Sequence, residues 1–166
     1  MVYSILGGIS KCKKKMKNIT CSQVLRMRET RWTTPSNGCF KMNVDVVFNE
    51  QTRAIGICAI IRKNKGKVMA MLSEKLDGLL SLKHAKAKAT GISLLWARDI
   101  SLNLQSLESD AMVLVQALNN GMGCLSKFRN LLLDIISLFS LFLGIKVKHI
   151  FHEANEAAHR LAKLAL

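Results

Sequence analysis

The sequence predicts an α/β fold in which a five-stranded mixed sheet carries helices on both faces. Three observations lead there. Residues 39–72 read as successive strands joined by short turns, which makes the opening strands antiparallel neighbours. The later strands are separated by helical stretches long enough for crossovers, which makes them parallel neighbours. A chain of 166 residues with 49% hydrophobic residues, one Pro and 10 Gly suits a single packed domain rather than a disordered polymer.

Taken in order, Cys39–Phe48 alternates and then runs apolar, as a strand does. Arg53–Arg62 is β-branched and apolar, and Lys63-Asn-Lys-Gly66 turns it back into Lys67–Leu72, with Asn64 and Gly66 supplying the turn chemistry. Lys83–Arg98 sets Ala85, Ala89, Ile92, Leu95 and Trp96 at helical spacing, and Trp96 reads as core rather than as a base-stacking platform. Leu104–Ser109 is a short strand, and Asp110–Asn119 a helix ended by Asn119-Asn-Gly121. Ser126–Leu143 is a long helical stretch stopped by Gly144, and its thin polar face suits a protein partner. Ile145–Phe151 alternates as a last strand, and Asn155–Leu166 closes the chain as an Ala/Leu-rich helix. The order is β-β-β-α-β-α-α-β-α, with no internal repeat.

Charge divides the chain unevenly. There are 25 Lys+Arg against 11 Asp+Glu, a net charge of +14. Residues 1–38 hold eight of the basic residues and one acid, which is half of the excess. The run Lys11-Cys-Lys-Lys-Lys-Met-Lys17, followed by Arg26, Arg28 and Arg31, reads as a solvated basic arm with little fixed structure. A nucleic-acid-binding arm, an import signal and a segment without function all remain open for it. Trp32–Gly38 reads as the linker to a folded domain at 39–166. A basic excess of this size suits a polyanionic partner, because neutralised phosphates release counterions. Arg62, Lys63, Lys65 and Lys67 at the hairpin and Lys83 on the first helix are candidate phosphate contacts, with a solvated turn as the competing reading. Aromatic residues make up only 5% of the chain, which argues against single-strand recognition by extensive stacking.

Five scattered cysteines, none in a Cys-x-x-Cys pair, fit free thiols in a reducing compartment rather than disulfides or a zinc site. The N-terminal apolar run lacks the preceding positive region of a secretory signal. The apolar segment Leu131–Ile145 contains Asp134 and is too short to span a bilayer. The expectation is an intracellular protein of nucleus or cytoplasm, not secreted and with no membrane partner.

Several motifs then fall in a fixed order. They are Lys41-Met-Asn-Val-Asp45, Ala85-Lys-Ala-Lys-Ala89, Glu108-Ser-Asp110, His149, and Glu153-Ala-Asn-Glu-Ala-Ala-His159, followed by Leu161-Ala-Lys-Leu-Ala165. As an ordered set they resemble the ribonuclease H-like domain of the plant, retrotransposon-related (reverse-transcriptase-like) type. That family carries four catalytic carboxylates: an Asp on the first strand, the Glu of Ala-Glu-Ala, the Asp of Glu-Ser-Asp, and the Asp ending Glu-Ala-Asn-x-x-Ala-Asp. A His stands ten residues before the fourth. Here Asp45, Asp110 and His149 hold their family positions, whereas Lys86 and His159 replace two carboxylates, and Val46 stands where Gly is usual.

The resemblance implies a ribonuclease H-like sheet, an RNA–DNA hybrid or RNA as partner, and hybrid hydrolysis assisted by two Mg²⁺ ions. Mg²⁺ requires hard oxygen ligands in near-octahedral geometry, so Asp45 and Asp110 would hold one ion at most. An ammonium at Lys86 would repel that ion, or bridge the two aspartates in its stead. His159 suits softer metals better than Mg²⁺. By the same resemblance His149 would aid proton transfer or product release; simple packing is the rival reading. Asp110 also reads as the N-cap of the following helix, and Asp45 as an unpaired sheet-edge acid. Glu156 shares a helix face with His159 and either reaches the site or serves as a first-turn acid. His84 and His152 read as surface residues.

The function expected is nucleic-acid binding with reduced or lost hydrolysis. The alternatives are an active Mg²⁺-dependent hybrid ribonuclease, and a non-catalytic scaffold or decaying retroelement fragment.

Overall fold

A computed structural model describes residues 30–120 and 127–166. The expected basic arm falls almost wholly on 1–29, outside the described residues. Strand β1 (Phe40–Asn49) pairs antiparallel with β2 (Ala54–Arg62), and β2 antiparallel with β3 (Val68–Asp77). On its other side β1 pairs parallel with β4 (Leu104–Ser109), and β4 parallel with β5 (Lys146–His149). The sheet order is β3-β2-β1-β4-β5, the mixed five-stranded arrangement that the sequence predicts. Helices α1 (Leu82–Asp99), α2 (Met112–Asn120), α3 (Lys127–Phe139) and α4 (His152–Leu164) complete it.

Alternation along β1 and β2 sorts the two faces. Met42, Val44 and Val46 with Ile55, Ile57, Ala59 and Ile61 form the larger core, shared with Leu94 and Ala97 of α1 and Leu132 and Ile135 of α3. The opposite face is thinner, with Cys58 and Ile60 under Ala158 and Ala162 of α4. Helix α4 lies so close to β2 that a Cβ at Gly56 would fall 2.0 Å from the Ala162 carbonyl oxygen. Glycine is required there by space, not by dihedral angle.

Several boundaries and phases depart from expectation; β5 is shorter than Ile145–Phe151 and α2 starts two residues after Asp110. β3 runs on to Asp77, because the mostly polar stretch Ser73–Asp77 continues to pair with Ala54–Cys58 of β2 at a sheet edge. Leu94, fully buried, takes the core position that spacing gave to Leu95, which is 37% exposed; half-buried Trp96 packs against the same core. α3 ends at Phe139, where the Ser137 and Ser140 hydroxyls take the carbonyls of Asp134 and Ser137. α4 begins at His152, three residues early, with Phe151 in extended conformation before it. That last difference matters for the site.

The hairpin between β2 and β3 turns through Asn64–Gly66, with positive φ at Lys65 (60°) and Gly66 (72°). Trp32–Gly38 forms no regular element, yet it lies against the sheet, with Trp32 stacked on Arg62. The outer face of α3 leaves Leu133 and Ile136 exposed. Among the described residues, no helix is long and apolar enough to cross a membrane.

Candidate functional site

Because side chains alternate along a strand, Lys41, Asn43 and Asp45 emerge on the face opposite Met42, Val44 and Val46, towards α4. Asn43 is level with Glu108 on β4, and Asp110 follows immediately after that strand ends. Lys86, in the second turn of α1, reaches the same point from the other side.

There Lys86 Nζ lies 2.5 Å from Asp45 Oδ1 and also donates to Asp110 Oδ1, bridging the two carboxylates. Asp45 Oδ1 further accepts from its neighbour's amide, Val46 N, at 2.8 Å. The second oxygens face imidazoles: His159 Nδ1 is 3.0 Å from Asp45 Oδ2, and His152 Nδ1 is 3.2 Å from Asp110 Oδ2. The two imidazoles meet edge to face, their centroids 4.6 Å apart. Asp45 is only 1% exposed. Two carboxylates and one ammonium leave this cluster with a net charge of about −1 while the imidazoles are neutral.

Burial alone would raise the Asp110 carboxyl, but the hydrogen bond and charge of Lys86, helped by His152, hold it below its ordinary value. Burial would likewise lower Lys86. The charge of Asp45 and the hydrogen bonds to Asp110 and Asp45 outweigh that, and its ammonium is raised instead. Cys58, level with Asp45 on β2, is fully buried, and burial together with the Asp45 charge pushes its thiol up to about 12. Such a thiol is inert.

Of the residues singled out by sequence, Asp45, Lys86, Asp110 and His159 converge. His149 ends β5 beside Ser109, with its ring edge-on to Phe151. Asp45 lies on the central strand, not at a sheet edge, and the Asp110 side chain turns to Lys86 and His152 while Ser109 Oγ accepts the Ala111 amide at the start of α2. His152, read as a surface residue, is exposed and at the same time reaches the cluster through Asp110. With α4 starting at 152, His152, Glu156 and His159 recur at helical spacing on one face, a signal hidden by placing the helix start too late. Glu156 is not the first-turn acid, a place held by Glu153. It lies 3.8 Å from His152 Nε2 and accepts from Arg160 Nε at 2.8 Å. His84 is half-buried, edge-on to Phe128.

A buried polar network below the cluster was not legible as such. Lys41 Nζ pairs with Glu108 Oε1 at 2.7 Å, and Asn43 Nδ2 donates to Glu108 Oε2 at 3.1 Å. Asn155 Nδ2 donates to the Val44 carbonyl at 3.1 Å, fastening α4 to β1. Arg62 Nη2 donates to Asn43 Oδ1 at 2.7 Å while its guanidinium stacks 3.6 Å from the Trp32 ring centre. Of the basic residues considered for phosphate contact, Arg62 therefore turns inward and Lys63 is half-buried, while Lys65, Lys67 and Lys83 are exposed. Polar residues at alternate positions of an otherwise apolar strand were the available signal for this network.

A sheet of order β3-β2-β1-β4-β5, with one acid at the centre of β1 and another just after β4, defines a ribonuclease H-like domain. Residues 43–165 match the reverse-transcriptase-like family, and the chain belongs to it. Among solved structures it is similar to ribonuclease H1 of the halophilic archaeon Halobacterium salinarum, with a TM-score of 0.69 and 18% identity over 77% of this chain and 97% of that one. LC11 ribonuclease H1 from a compost metagenome, solved with an RNA/DNA hybrid, gives 0.66 and 15% over 76% and 95%. A foamy-virus protease–reverse transcriptase solved with double-stranded DNA gives 0.58 and 17% over 76% and 92%. At these identities the likeness is one of fold. No curated protein sequence matches the chain.

The Mg²⁺ implied by the family does not fit the residues present. The point common to both carboxylates is taken by an ammonium, and the other neighbours are imidazoles rather than hard oxygens.

Proposed function

We propose that this domain binds RNA–DNA hybrid or RNA through backbone phosphates and that its hydrolytic activity is reduced or lost. One observation carries the second half: the Lys86 ammonium bridges Asp45 and Asp110. Hydrolysis by this class of site needs enough negative charge to hold cations that activate water and stabilise the leaving oxygen. Here one of two negative charges is cancelled from within the chain. The first half is supported by the net charge of +14, by exposed Lys65, Lys67 and Lys83, and by the hybrid bound to a protein of the same fold. Lysine makes point-charge contacts to phosphate oxygens, which positions a duplex but reads no sequence.

The test joins binding to cleavage. The unaltered chain should retain hybrid on a filter at low salt, release it steeply as salt rises, and leave it uncut with Mg²⁺ or Mn²⁺. Lys86→Glu combined with His159→Asp restores four carboxylates and should raise Mg²⁺-dependent cleavage by orders of magnitude. Cleavage by the unaltered chain, abolished by Asp45→Asn, would overturn the loss of activity. Failure to bind at low salt would remove the nucleic-acid reading.

A further inference from the structure

We propose that Asp45, His152 and His159 form a binding site for a divalent transition ion of the zinc class. The inference concerns the same cluster and rests on the reading that Lys86 closes it to Mg²⁺; hybrid binding plays no part in it. One ligand atom from each of the three residues lies within 4.8 Å of the other two, a spread that side-chain rotation can gather around one ion. The donors are two nitrogens and one oxygen. Imidazole suits zinc, cobalt, nickel and copper, whereas Mg²⁺ prefers carboxylate, carbonyl and water.

The supports of these donors are already in place. His152 and His159 lie seven residues apart on α4, two turns along one face, and Asn155 between them anchors that helix to the Val44 carbonyl. Asp45 gives Oδ1 to Lys86 and the Val46 amide and turns Oδ2 to His159, so its free lone pairs point to the imidazole side. His152 turns Nδ1 to Asp110 Oδ2 at 3.2 Å, and its Nε2 lies 3.8 Å from Glu156. Charge also permits the ion. Asp45, Asp110 and Lys86 sum to about −1, and Glu156 is balanced by its partner Arg160, so Lys86 weakens the attraction without reversing it. The exchange of family carboxylates for lysine and histidine thereby alters which metal the pocket prefers, rather than only removing one.

The test is titration of the full chain with Co²⁺, an optical stand-in for zinc, at slightly alkaline pH where imidazoles are neutral. Saturation at one ion per chain is expected, with ligand-field bands of nitrogen and oxygen donors and no thiolate charge transfer. Mg²⁺ should bind at least about tenfold more weakly. His152→Gln and His159→Gln should each lower Co²⁺ affinity about tenfold or more, with a circular dichroism spectrum and melting profile showing that each variant is folded. No Co²⁺ binding, a thiolate band, or affinity unchanged in both folded variants would overturn the site. Mg²⁺ binding as tight as Co²⁺ would instead overturn the reading that Lys86 closes the pocket to Mg²⁺.

Discussion

Lys86 holds together two carboxylates that would otherwise repel one another across a buried pocket. Removing one partner from a buried ion pair costs about 3 kcal/mol or more, because the charges left behind are unpaired. Lys86→Met should therefore destabilise the fold by roughly that amount in urea titration. The variant should also differ in its pH dependence. Asp110 is held below its ordinary 3.8, so its contribution is present above about pH 4 and is lost as pH falls through the folded value. Lys86 is raised above 10.5, so its contribution is full below that value and is lost as pH rises through the folded one. Between those limits Lys86 and Asp110 give the unaltered chain a constant contribution to stability. Lys86→Met should instead grow more stable as pH falls from neutral towards about 4, since protonation relieves the facing carboxylates. A plateau in the variant would mean that the two aspartates are not coupled through Lys86.

At the scale of elements, the seating of α4 on the sheet decides whether the histidines reach the aspartates. Asn155, 1% exposed, spends its amide on the Val44 carbonyl and its oxygen on Asn43. Asn155→Ala strands those groups without water and should cost about 1–3 kcal/mol in chemical denaturation. Gly56→Ala should cost a similar 1–3 kcal/mol, because a methyl group would meet the Ala162 backbone rather than a side chain that can move. It should also shift the His159 imidazole resonances, since α4 must retreat from Asp45. Unchanged stability in Gly56→Ala would show that α4 is seated less closely on β2. The sequence shows where these elements lie better than where they end. β4 matches its expected bounds because both flanks are polar breaks, whereas the start of α4 was obscured by His152-Glu-Ala, residues at home in strand ends and helices alike.

For the molecule as a whole, the charge excess is a long-range property and its signature is salt dependence. Filter-binding affinity for hybrid should fall log-linearly with salt, and replacing Lys65 and Lys67 together by alanine should lower the slope by up to about two, with little change among hybrid sequences. A slope equal to that of the unaltered chain would remove the hairpin from the interface. By itself the sequence determined the order of elements and the pairing sense of the strands, because hydrophobic period is local and survives without coordinates, and the resemblance of its ordered motifs to the family grouped Asp45, Lys86, Asp110 and His159 as one set. Only the tertiary structure decided that the Lys86 ammonium takes both aspartates, that His152 joins them, and that Arg62 turns inward to Trp32 and Asn43. Those contacts join residues 19 to 42 positions apart along the chain, and such distances are set by how helices seat on a sheet rather than by any pattern within one segment.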